Sequence, residues 1–181
     1  IPLPKLMGWW DTKLTKDEHD LFLRYRPYFS NMEDIVEIID GGTNPTGIYK
    51  WIKNYAAKNG RIEKISEFNQ IYIPNDENLI TIILVDHQSL IRKESGLSTK
   101  KEAIDKLSEY LQYARDFYGF SPVLVAQMNR DIANPAYQKM DTFEPTPEQI
   151  KDSGTSFEDS DICMSLFDPV KFKTSAPTKH D

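Results

Sequence analysis

Leu79-Ile-Thr-Ile-Ile-Leu-Val-Asp86 constrains this chain more than any other stretch. It is almost wholly branched and aliphatic, follows the turn-rich Pro74-Asn75-Asp76-Glu77-Asn78, and stops abruptly on a carboxylate. Such a run reads as a strand buried on both faces, the pattern of central parallel strands in α/β proteins. Open α/β sheets bind ligands at the carboxyl ends of their strands. In nucleotide hydrolases an acid placed there orients a Mg²⁺ water beside the phosphates. An Asp at a strand end also serves simply to cap the next turn, and taken alone Asp86 fits that plainer role better.

The rest of the chain supplies what a parallel strand needs around it. Thr15-Lys-Asp-Glu18 has capping-box spacing, and Leu21, Phe22 and Tyr25 follow at helical intervals, which predicts a helix over about 16–26 that Pro27 stops. Trp9 and Trp10 read as packing aromatics, with a stacking role as the alternative. Asp34-Ile-Val-Glu-Ile-Ile-Asp40 reads as a strand. Gly41-Gly-Thr-Asn-Pro-Thr46 then leads into a helix striped by Ile48, Trp51, Ile52 and Tyr55, capped by Asn44 or Thr46 and closed at Asn59-Gly60. A phosphate loop needs Gly-x-x-x-x-Gly-Lys-Ser/Thr, because the Lys and the hydroxyl reach phosphate and Mg²⁺. Here Ile48 follows Gly47, so Gly41 and Gly42 read as turn residues.

Residues 61–78 are polar, with Ile65, Phe68, Ile71, Tyr72 and Ile73 as apolar anchors. Beyond Asp86, the partly basic Gln88-Ser-Leu-Ile-Arg92-Lys-Glu-Ser-Gly96 stretch reads as a mobile loop, either plain solvated surface or a binding element. His87 reads as a packed side chain rather than a catalytic base. Thr99-Lys-Lys-Glu102 is a second capping box. It opens a helix whose buried face is Ala103, Ile104, Leu107, Leu111, Ala114 and Phe117 or Tyr118, with Gly119 as its end. Ser121-Pro-Val-Leu-Val-Ala126 is another buried strand, running into Gln127-Met-Asn129-Arg130. From residue 34 the order is therefore strand, helix, strand, helix, strand, which implies crossovers and a parallel sheet. Residues 131–148 hold three prolines and no periodicity, and read as a loop. A dense polar turn, Lys151-Asp-Ser-Gly154 through Glu158-Asp-Ser-Asp161, precedes a short apolar strand, Ile162–Phe167.

Charge and composition narrow the class. With 39% hydrophobic and 28% charged residues the chain suits a folded domain rather than a disordered one. No stretch approaches the roughly 20 apolar residues of a membrane span, so no membrane partner is expected. A lone Cys163 cannot form an internal disulfide, which suits the cytoplasm. The net charge of -6 excludes attraction of nucleic acid by the field of the whole chain. Any such contact must come from a few cations and backbone N–H groups on particular loops.

Three strand ends thus carry polar groups in order: Asp86, then Gln127 with Asn129 and Arg130, then the Lys151–Asp161 turn ahead of a strand. This order resembles the RecA-like ATPase core of DnaB-type replicative helicases and their phage relatives. In that family an apolar strand ends in the Walker B Asp, a later one in a Ser-Gln-Leu-Asn-Arg-like motif, and an Arg-Glu-Ser-Gly-containing turn precedes the next strand. The matching residues are Ile83-Leu-Val-Asp86, Ala126-Gln-Met-Asn-Arg130 and Lys151-Asp-Ser-Gly154. The resemblance covers residues 79–168 and fits Asp34–Gly60 less specifically. It implies an α/β fold, part of a RecA-like P-loop NTPase-type sandwich with a mainly parallel central sheet over 34–170. Residues 1–33 form a separate N-terminal segment and 171–181 a polar tail.

The resemblance further implies roles. Asp86 would hold Mg²⁺, through water, and Gln127 would sense the γ-phosphate of ATP. Arg130 would belong to that relay and to the nucleic-acid side of the site, or else pair with Asp131 at the surface. Lys151, Ser153 and Gly154 would meet the backbone of single-stranded DNA, Lys with its charge and Ser-Gly with exposed N–H groups; as a plain sequence the same turn is an ordinary cap. Such helicases act as homo-hexamers that hydrolyse ATP to translocate. They also need a phosphate loop, a catalytic Glu on the next strand and a C-terminal basic finger; this sequence has no phosphate loop, and nothing after Phe167 resembles the finger-bearing strands. Lys151 and Asp152 replace the family's Arg and Glu, which keeps charge but loses bidentate geometry. The missing parts are expected in a longer protein, and this chain alone is expected neither to hold ATP and Mg²⁺ tightly nor to turn ATP over. Two other readings share the residues: a non-catalytic RecA-like interaction module, and a RecA-like ATPase of recombination or phage DNA handling.

Overall fold

The computed structural model describes residues 3–6, 13–33, 35–40, 43–128 and 155–166. The chain divides into two compact units, Ile1–Gly41 and Gly42–Asp181. No helix among the described residues is long and apolar enough to cross a membrane.

The first unit holds a short helix α1, Leu3–Leu6, and a long helix α2, Lys16–Glu33. The capping box at the start of α2 forms as its spacing predicts: the Glu18 N–H donates to Thr15 Oγ1 at 3.3 Å and the Thr15 N–H to Glu18 Oε2 at 2.8 Å. Lys5, with that backbone bond, holds the Glu18 carboxyl down to about 2. The helix does not stop at Pro27 but runs on through it to Glu33. Proline's φ is itself helical, and what it forfeits is its own N–H bond to the preceding turn and some steric ease there. The expected strand Asp34–Asp40 is not formed over its described residues: Ile35–Asp40 is unpaired, and Ile35 and Ile38 are exposed. The Ile35 and Val36 N–H groups instead donate to the Met32 carbonyl. An extended apolar segment becomes a strand only when a neighbour supplies the other half of its ladder.

The second unit begins with α3, Pro45–Asn59. Asn44 caps it by accepting from the Gly47 N–H at 2.7 Å, and Pro45 takes the first helical position, where no N–H is needed. Ile52 and Ala56 are buried, whereas Trp51 stands exposed rather than in the stripe. Gly60 does not end α3 in the left-handed region; it is extended and starts strand β1, Gly60–Lys64. Its glycine is required by close approach, because a Cβ there would lie 2.4 Å from Tyr72 Oη and 2.5 Å from the Ile73 carbonyl. β1 pairs antiparallel with β2, Gln70–Pro74, in the register Gly60↔Pro74 to Lys64↔Gln70. This hairpin occupies the stretch that as sequence reads only as polar residues with apolar anchors.

Strand β3, Ile82–Val85, pairs parallel with β4, Ser121–Leu124, and α4, Lys100–Tyr118, joins them. The capping box of α4 is complete, Thr99 Oγ1 accepting from the Glu102 N–H, and Gly119 closes the helix at φ 72°. Ala103, Ile104, Leu107, Leu111, Ala114 and Tyr118 are buried, as the spacing predicts. All of these but Ile104 pack in one cluster with Ile52 and Ala56 of α3, and Ile83, Val85 and Leu124 rest against that core. Rings join it: Tyr72 meets Tyr118 edge-on at 5.1 Å, and Tyr55 meets Phe120 at 5.8 Å. Burial, followed by neighbouring phenols, pushes the Tyr118 hydroxyl up to about 12.

Over the described residues the architecture is α/β, with one parallel β–α–β unit and a separate antiparallel hairpin. Contrary to the reading of a strand buried on both faces, β3 alternates. Ile83 and Val85 turn to the core, while Ile82 and Leu84 are 65% and 64% exposed. Helices α3 and α4 cover one face, and no described residue covers the other, on which Ile80 and Val123 are also exposed. Ile162–Leu166, expected as a further strand, is likewise unpaired and exposed. Ahead of it, the short helix α5, Thr155–Glu158, leads to a tie onto α4: Ser108 Oγ donates to Asp159 Oδ2 at 2.6 Å, and Arg115 Nη1 reaches Asp161 Oδ2 at 3.0 Å.

Candidate functional site

The carboxyl ends of β3 and β4 lie side by side because the pair is parallel and in register, Val85 opposite Leu124. The ladder continues past both strands: the Val125 N–H donates to the Val85 carbonyl at 3.0 Å, and the Gln88 N–H to the Val125 carbonyl at 2.9 Å. Asp86 sits inside this extension and Gln127 just beyond it, both exposed. The structure thus brings Asp86 and Gln127 to one end of one sheet. Among the described residues no hydrogen bond or ion pair engages the Asp86 carboxylate.

An unengaged carboxylate at a strand end can orient water on a cation. Among the described residues no group of three or more His, Cys, Asp and Glu gathers around it. His87 is half-buried, and among the described residues its buried Nδ1 has no hydrogen-bond partner.

The segment leaving β3 differs most from its sequence reading, because it is tied down rather than mobile. Gln88 is fully buried, and Ile91 is buried beside the core. The Arg92 N–H donates to the Thr43 carbonyl at 3.2 Å. Lys100 Nζ donates to the Ser89 carbonyl, and Lys93 Nζ to the Ser98 carbonyl. Glu94 Oε1 accepts from Thr46 Oγ1 at 2.8 Å and pairs with Lys106, while Oε2 accepts from the Thr46 N–H at 3.1 Å. Lys106 and then Thr46 hold the Glu94 carboxyl below its usual range, and Glu94 raises Lys106.

These contacts also bear on the glycine turn before α3. The free N–H groups of a helix's first turn are what a phosphate would bind. Here Asn44 takes that of Gly47 and Glu94 that of Thr46. The donors face partners from the chain itself, in agreement with the absence of a phosphate-loop lysine.

The other sequence-derived site residues, Arg130, Lys151, Ser153 and Gly154, lie outside the described residues. Sequence reasoning missed Gln88, Glu94 and Thr46. A Glu inside Arg92-Lys-Glu-Ser95 looks like ordinary surface, and its partner Thr46 is 48 positions away. No family model and no curated protein matches this sequence.

Proposed function

We propose that this chain carries the acid-and-sensor half of a RecA-like ATPase site of the DnaB helicase kind. The observation that carries the reading is the parallel pair whose adjacent carboxyl ends bear Asp86 and Gln127. Phosphoryl transfer demands positioning and charge neutralisation more than covalent chemistry. An acid and an amide at neighbouring strand ends are the residue types that such a task uses.

In this reading Asp86 orients a water of the Mg²⁺ shell, and the ion, when bound with ATP, neutralises charge developing on the phosphates. Gln127 hydrogen-bonds at the γ-phosphate and passes its loss along the chain to Arg130. Lys151 neutralises a phosphate of single-stranded DNA, and Ser153 and Gly154 offer N–H groups to the same backbone. The phosphate cradle comes from a Gly-x-x-x-x-Gly-Lys-Ser/Thr segment elsewhere in the complete gene product. That product works as a homo-hexamer in the cytoplasm, hydrolysing ATP to move along DNA.

A second reading, a RecA-like module that binds a partner without catalysis, draws on the uncovered apolar face of β3 and β4. Mg²⁺-dependent ATP turnover by the complete gene product, stimulated by single-stranded DNA, separates the two. Its absence, together with the absence of a phosphate loop from that product, defeats the ATPase reading. The DNA arm is tested by Lys151→Ala. The expected result is weaker binding to single-stranded DNA, with a salt slope of log K against log salt shallower by about 0.7, one phosphate contact on a single strand. An unchanged slope makes the turn an ordinary structural cap.

A further inference from the structure

We propose that Glu94 is a positioning residue that locks the segment leaving β3, and with it Asp86, against the first turn of α3 and the flank of α4. This inference rests on the ATPase reading only for what the locked segment serves.

Three features single Glu94 out. First, its side chain is 9% exposed although it belongs to a charged run on a connecting segment. The residue as a whole is half-buried, and a carboxylate drawn partly out of water loses hydration that engaged oxygens offset. Here both oxygens are engaged, Oε1 by the Thr46 hydroxyl and Lys106, and Oε2 by the Thr46 N–H. Second, the partners come from two different helices, Thr46 at the start of α3 and Lys106 within α4. Third, the bonds reinforce a second tie two residues earlier, from the Arg92 N–H to the Thr43 carbonyl. The chain between Asp86 and Glu94 is thus held at Gln88 on the β4 side and at Arg92 and Glu94 on the α3 side.

A strand-end acid that orients a metal-bound water must hold its geometry to within a fraction of an ångström to be effective. Just after β3 the backbone makes a 3-10 turn, Gln88–Leu90, and Ile91 packs in the core, so beyond Ile91 its order draws on the Arg92 and Glu94 ties. Glu94 joins that segment to both helices through hydrogen bonds to an ionised group, which exceed neutral ones. Glutamine at this position keeps the shape but cannot pair with Lys106, and its amide places a donor where an acceptor is needed.

The test is amide hydrogen exchange on the folded chain, wild type against Glu94→Gln, with ATP turnover of the complete gene product as a second readout. The expected result is exchange about tenfold faster at Thr46 and Arg92, with β3, β4 and the centre of α4 unchanged. Lys106→Met, which leaves the Thr46 bonds in place, speeds exchange at Thr46 less than Glu94→Gln does. In the complete product kcat falls several-fold while KM for ATP stays near wild type, a split that a purely structural tie does not produce. Exchange that is unchanged, or that rises equally throughout the second unit, overturns the proposal. So does a local loosening that leaves kcat untouched. If the wild-type product turns over no ATP, the ATPase reading fails while the exchange data still decide whether Glu94 locks the segment.

Discussion

On the proposed ATPase reading, Asp86→Ala is expected to lower ATP turnover of the complete gene product by at least about a hundredfold and to leave the fold in place. The magnitude follows from the role: removing one preorganised group aimed at charge that develops in the transition state typically costs 10²–10³ in kcat, about 2.7–4 kcal/mol. The structure explains why stability is spared. Asp86 is exposed, and among the described residues its carboxylate has no partner to strand. Substitutions at such positions change stability by less than about 0.5 kcal/mol. Steady-state turnover at saturating Mg²⁺ and a thermal melt read the two effects separately. Full activity removes Asp86 from the mechanism; a collapsed melt makes it a structural cap, the plainer role open to any acid at a strand end.

The largest expected stability effect belongs to Leu107→Ala. Leu107 is fully buried on α4, in the core shared with Ile52 and Ala56. Truncating a buried leucine removes transfer energy and leaves a cavity, a loss of about 2–5 kcal/mol. A domain has only about 5–15 kcal/mol in total. The urea midpoint should therefore fall by at least about 0.7 M at unchanged slope, since the slope for a small domain is about 1–3 kcal/mol/M. Leu84→Ala is the informative contrast. Leu84 lies in β3 but on the uncovered face, so its truncation should cost less than about 1 kcal/mol. Equal losses at the two positions would mean that both faces of the sheet are covered in solution.

That contrast marks where sequence reasoning worked and where it did not. The two capping boxes, the buried face of α4, the Asn44 cap and the parallel relation of β3 to β4 were legible, because each depends on residues close together or on a repeating pattern. The same kind of reasoning overstated Pro27 as a stop, since proline weakens a helix interior without making helical φ unreachable. It missed the β1–β2 hairpin, whose side chains are mostly exposed and carry little alternation. It read Asp34–Asp40 and Ile162–Phe167 as strands from composition, although over their described residues, 35–40 and 162–166, neither has a pairing neighbour among the described residues. Of the candidate site, Asp86 and Gln127 stood out because apolar runs end near them, whereas nothing near Glu94 announced a half-buried carboxylate with both oxygens engaged.

By itself, then, the run from Leu79 to Asp86 determined that a strand forms and that it delivers an acid to its carboxyl end. Aliphatic, β-branched composition favours extended backbone, and the abrupt polar residue ends the apolar run. Only the tertiary structure decided that one face of that strand is covered and the other bare, that Gln127 comes to the same sheet end, and that Glu94 ties down the segment in between. Burial and ion pairing depend on which residues distant in sequence meet. Local propensity and periodicity carry no record of that meeting.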